Sequence, residues 1–196
     1  MPLKAAFTVW ILVWAPIYYV SYGAENYLWL CDVANFLILY ALWSENRAIM
    51  SSQLVATLIV GIAWSLDLAT ALAVGFHPFG GTEYMMREEV AIGIRLLSLF
   101  HLFLPIIAAY GCARLGYITR GLWIQVAITA PLLAVSRVVS TAEDNINWVY
   151  GPFGASEHPF SAPVYLLLLF LGYVLLLYLP AHGLAVAAGR LARRGT

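Results

Sequence analysis

Long apolar runs separated by short polar stretches dominate this chain. Six of them read as membrane-crossing helices: 5–22, 27–43, 48–74, 91–113, 120–140 and 162–187. A helix needs roughly 20 mostly apolar residues to cross a hydrocarbon core. The third and sixth runs exceed that, which leaves room to tilt or to extend past the bilayer. Pro16, Pro105, Pro131 and Pro180 fall inside the runs, where neighbouring helices can take up the carbonyls that a proline frees. Short polar turns at 43–48 (WSENRA) and 114–121 (RLGYITRG) alternate with longer loops at 75–89 and 140–163, which are rich in Gly, Pro and aromatic residues. The pattern predicts an all-α fold: a polytopic bundle of six transmembrane helices forming one domain, 1–196.

Charge orients this bundle. With six spans, both termini and the two short turns share a side, which holds Lys4, Arg47, Arg114, Arg120, Arg190, Arg193 and Arg194. The loops of the other side hold Arg87 as their one basic residue, among Glu25, Glu83, Glu88, Glu89, Glu143, Asp144 and Glu157. Basic residues mark the cytoplasmic side, so the expectation is N-in and C-in, in a plasma (inner) membrane, with the acidic loops external. The first run is preceded by a single Lys4, and VSYGAEN makes a poor cleavage site, so it is read as a retained span rather than a signal peptide.

Composition agrees with this. The chain is 63% hydrophobic and 10% charged with zero formal net charge, against about 45–50% apolar and 25% charged in soluble domains. That balance points to the lipid bilayer as surroundings and gives no reason to expect a nucleic-acid partner. Cys31 and Cys112 form no CxxC pair or visible disulfide framework.

Polar residues inside the runs are unevenly distributed. Asp32 and Asn35 fall near the outer end of the second run. Trp64 and Asp67 lie in the outer half of the third, Arg95, Ser98 and His101 in that of the fourth, and Arg137 near the outer end of the fifth. The other half holds mainly Gln53 and Gln125. An ionisable group at the bilayer centre costs roughly 2.5–3.5 kcal/mol even on a lenient scale, so such groups face one another or a wet cavity and mark function. In RLLSLFHLFLP (95–105) the three polar residues recur every third position.

These residues suggest a site. His101 is the candidate proton shuttle, with Asp67 as its partner or as the acid, and Ser98 as a possible nucleophile three residues away on the same helix. Arg95 and Arg137 are candidates to bind an anionic head group, because guanidinium matches phosphate or carboxylate bidentately. Asp32 and Asn35 would orient them, or Asp32 would pair with Arg95. Trp64, Tyr84, Trp148 and Tyr150 would supply aromatic walls. Asp32, Asp67 and His101 could offer a mixed O/N metal site, but there is no HExxH or HxxxH motif and the arginines oppose a cation. No metal and no cofactor is therefore expected. His77 and His158 fall in loops and His182 near the opposite end. The segment EDNINWVYG (143–151) is distinctive but carries no recognisable chemistry.

The stretch GIAWSLD (61–67) resembles the AWE element of the small membrane-bound terpene cyclases of fungal meroterpenoid pathways, with Ser65 where the glutamate would stand. The likeness covers the first third of the chain, and no residue's role is carried across. The expected function is a small integral-membrane enzyme acting on a lipid or amphipathic substrate by acid–base assisted transfer, hydrolysis, or isomerisation or cyclisation. A carrier or binding protein, or a structural accessory subunit, are the alternatives.

Overall fold

The computed structural model describes residues 1–152 and 159–194, and side chains as far as Leu191. Glu157 and His158, and the side chains of Arg193 and Arg194, lie outside what is described. Among the described residues there is no strand. The helices are α1 (Pro2–Tyr22), α2 (Leu30–Ser44), α3 (Arg47–Val74), α4 (Ile92–Leu97), α5 (Phe100–Leu115), α6 (Arg120–Val139), α7 (Ala162–Gly172) and α8 (Leu179–Arg194).

Five helical stretches are long and apolar enough to cross a membrane: α1, α3, α4 with α5, α6, and the run from α7 into α8. The sixth expected span is the exception, because α2 has 15 residues and rises only about 22 Å. Its missing turn has a local cause. Residues Glu25–Leu28 form a 3-10 turn and Trp29 is extended (φ −57°, ψ 131°), so the α-helix starts only at Leu30. All four residues of that turn fall in a stretch with no proline or glycine, so the break carries no compositional signal.

Helix α3 is the axis of the bundle and packs against α2, α5, α6 and α8. Asn46 starts it, its side chain accepting from the Ala48 and Ile49 N–H groups at 3.0 and 3.1 Å. Every residue from Met50 to Thr57 is buried, so this stretch is enclosed on all sides. Its polar groups are satisfied within the bundle. Gln53 donates to Ser52 Oγ and to Gln125 Oε1, and Gln125 and Thr129 meet the Tyr178 hydroxyl. Tyr178 lies in a π-helical stretch, Tyr173–Tyr178, that joins α7 to α8. Small residues let the helices approach closely, as is usual where lipid removes the hydrophobic drive for association. Gly121 of α6 faces the α3 backbone at Ser51 and Ser52, and Gly61 of α3 faces the His101 carbonyl and Pro105.

The two ends of the bundle differ. At one, Lys4 pairs with Glu45 at 2.8 Å and the Arg47 guanidinium reaches the Gly116 carbonyl at 3.5 Å. At the other, the loops fold inward. Asn147 accepts from the Leu30 N–H at 2.9 Å and donates to the Leu28 carbonyl at 2.7 Å and to Ser136 Oγ at 3.0 Å. The EDNINWVYG segment thereby covers the start of α2. Positive φ at Asn145, Asn147 and Trp148 shows the tight turning this docking requires.

Candidate functional site

The fourth expected span breaks where its polar residues lie. Between α4 and α5 the bonds run three residues back: Ser98 N–H to Arg95, Leu99 to Leu96, His101 to Ser98 and Leu102 to Leu99. At three residues per turn, positions three apart stand directly above one another. Arg95, Ser98 and His101 therefore share one edge more strictly than in an α-helix.

Ser98 is buried, and its hydroxyl meets the Tyr18 hydroxyl of α1 at 2.7 Å. Its carbonyl takes the imidazole of His101, with Nδ1 at 2.8 Å. A carbonyl only accepts, so Nδ1 carries the proton and Nε2 presents a lone pair. Nε2 has no hydrogen-bond partner among the described residues. The half-buried ring lies against Trp64 of α3 (centroids 4.9 Å apart, 12° between planes) and Phe100 (4.1 Å, 23°). Pro105 has no N–H to return to the His101 carbonyl, and that carbonyl abuts Gly61.

Above this edge sits the 3-10 turn Glu83–Met86. Met85 packs with Trp64 and Leu68, and its carbonyl accepts from Arg95 Nη1 at 3.0 Å. The Tyr84 phenol lies beside Ser98 and Trp64, and burial pushes its ionisation up, so it stays a hydrogen-bond donor. Arg95 Nε and Trp64 Nε1 are both buried, and neither has an acceptor among the described residues.

The structure therefore gathers Arg95, Ser98, His101 and Trp64 from the expected set, and separates the rest. Asp67 does not partner His101. It is fully buried and accepts from the Phe79 N–H at 2.6 Å, the Thr82 N–H at 2.9 Å and Thr82 Oγ1 at 2.6 Å, with His77 Nδ1 at 3.4 Å. A carboxylate can satisfy several backbone donors at once, and the 75–82 loop presents them. Asp32 does not pair with Arg95. It is buried and takes the Asn26 amide at 2.8 Å, with the Cys31 thiol 4.0 Å away. Asn35 accepts from Trp10 Nε1 at 3.1 Å rather than orienting an arginine. The Arg137 guanidinium lies over the Tyr150 ring at 3.9 Å, and the Tyr150 hydroxyl bonds the Arg137 and Ser140 carbonyls. Ser98 and His101 are not a nucleophile–base pair, because the imidazole holds the serine's carbonyl and the hydroxyl belongs to Tyr18. Among the described residues no three His, Cys, Asp or Glu side chains cluster to hold a metal ion.

Two contributors escaped sequence reasoning. Tyr18 sits in IYYV, where tyrosine looks like ordinary interfacial packing, and its partner is 80 residues away. The Met85 carbonyl is backbone and leaves no trace in side-chain pattern. No family model, curated protein or solved structure matches the chain.

Proposed function

We propose that this chain is a small integral-membrane enzyme of the plasma (inner) membrane that uses His101 for acid–base chemistry on a lipid or other amphipathic substrate. Both termini are cytoplasmic in this reading. The basic end carries Lys4, Arg47, Arg114, Arg120 and Arg190, and its contacts tie the first helix to the two short turns. The acidic loops and the site then face outward.

One observation carries the catalytic reading: the Ser98 carbonyl holds His101 Nδ1–H, which leaves Nε2 as an unengaged base between two aromatic rings. Orientation of one ring nitrogen by a hydrogen bond is how proteins set which nitrogen reacts. The Ser98 hydroxyl is engaged with the Tyr18 hydroxyl rather than with the imidazole. This favours proton transfer, as in isomerisation or general-base-assisted transfer or hydrolysis, over a covalent serine intermediate.

The test compares wild type with His101→Gln, each reconstituted in nanodiscs made from a total lipid extract and followed by mass spectrometry. Wild type is expected to accumulate a product species that the variant does not, with the same helical content in both. Equal product from the variant removes His101 from the chemistry. Absence of any product from wild type turns the reading toward a structural subunit. That second reading rests on Asp67 and Asn147, whose polar groups go entirely into tying loops to helices.

A further inference from the structure

Among the described residues, Arg95 is a cation without a counter-ion. Among the described residues the ion pairs are Lys4–Glu45 and His77–Asp67, so no carboxylate oxygen lies within the 4.0 Å of an ion pair with its guanidinium. The two buried aspartates are engaged elsewhere, Asp67 by the 77–82 loop and Asp32 by Asn26. Among the described residues its one hydrogen bond goes to the neutral Met85 carbonyl, and its buried Nε has no partner.

A second unsatisfied donor lies close by. Trp64 is 7% exposed, and its Nε1 has no acceptor among the described residues. It packs on Met85, the residue whose carbonyl holds Arg95. Buried donors without partners are uncommon and call for an explanation. Here two of them, with a positive charge, border the same 3-10 turn, and the Tyr84 phenol of that turn lies beside Ser98 and Trp64. Two unpartnered donors and a positive charge match a ligand with the opposite character.

We propose that Arg95, Trp64 and Tyr84 bind an anionic head group, a phosphate or a carboxylate, and hold it beside His101. Guanidinium suits such groups because its fork meets two oxygens at once. Calling this ligand the substrate rests on the acid–base reading of His101; the binding itself does not. Arg137 is not part of the site, since its guanidinium is stacked on Tyr150.

The experiment uses the full chain in detergent micelles and measures retention of dioleoyl phosphatidic acid, dioleoyl phosphatidylcholine and inorganic phosphate by native mass spectrometry and tryptophan fluorescence. Phosphatidic acid is expected to bind wild type about tenfold or more tighter than phosphatidylcholine, and Arg95→Gln to abolish that preference. Trp64→Phe, which keeps a ring against His101 but removes the N–H, is expected to weaken phosphatidic acid several-fold. Competition by inorganic phosphate identifies a site for the free anion; failure to compete identifies the lipid head group, and either supports the assignment. Unchanged phosphatidic acid preference in Arg95→Gln overturns it. If that variant does not fold, Arg95→Lys decides, because it keeps the charge but loses the Nε–H fork: undiminished preference overturns the proposal and a several-fold loss supports it. His101→Gln separates the two readings. Retained binding without turnover supports both, and retained turnover with Arg95-dependent binding removes the acid–base role while leaving the anion site in place.

Discussion

Asp67→Ala is expected to destabilise the protein by about 3–5 kcal/mol and to release the loop from His77 to Met86. The carboxylate is fully buried and takes the N–H groups of Phe79 and Thr82, the Thr82 hydroxyl and the His77 ring. Removing an acceptor leaves each buried donor with a desolvation cost of about 1–3 kcal/mol. The charge on the acceptor adds to each bond. Relaxation of the loop into water recovers part of the sum, which sets the expected total at the upper end of single-substitution effects. Asp67→Asn keeps one acceptor oxygen and is expected to cost about half as much. Amide hydrogen exchange checks this directly: Phe79 and Thr82 should lose protection in the alanine variant, with a lowered melting temperature. Wild-type protection at both amides would show that the loop is held by something other than Asp67. The consequence reaches the site, because the same loop leads into the turn that presents Tyr84 and the Met85 carbonyl to Arg95.

Gly121→Ala is expected to cost about 2–3 kcal/mol, and Gly111→Ala about 1 kcal/mol or less. The two differ in what the new methyl meets. At Gly121 it would lie 2.6 Å from Ser51 Cβ, 2.7 Å from the Ser51 carbonyl carbon and 2.9 Å from the Ser52 nitrogen. That is the backbone of α3 where the helix is enclosed on all sides, so α6 as a whole must move away. At Gly111 the nearest atoms are Met50 Sδ, Cε and Cγ at 2.6–2.8 Å, and an unbranched methionine can repack. Thermal unfolding of the two variants in one detergent separates them. Equal losses would mean that the α3–α6 contact is looser than the structure has it. Retreat of α6 would also strain the Gln53–Gln125 and Thr129–Tyr178 hydrogen bonds.

How much of this was legible in the sequence depends on the range of the interaction. The long apolar runs gave helices α1, α3 and α6 nearly to their ends, because a bilayer allows only backbones that satisfy themselves. The shortness of α2 was hidden, since the 3-10 turn Glu25–Leu28 has no composition of its own. The break at Ser98 was hidden for a related reason. Spacing of three fits one face of an α-helix and fits a 3-10 turn better, and the pattern alone does not choose. The polar residues within the apolar runs were visible, but their pairings were not. Asp67 finds backbone donors in a Gly- and Pro-containing loop, and Asp32 finds Asn26, so complementary charge along the sequence named the wrong partners. Asn147 reads as one more loop asparagine until its amide is seen closing the start of α2.

The state of a single imidazole tests the central claim most directly. Nitrogen-15 NMR of histidine-labelled protein in nanodiscs, with the His101 signals assigned by their loss in His101→Gln, reports which ring nitrogen bears the proton. The expected spectrum has the His101 proton on Nδ1, hydrogen-bonded to the Ser98 carbonyl, and an unprotonated, unengaged Nε2. A proton on Nε2 would contradict it, because the ring would then turn no free base toward a substrate.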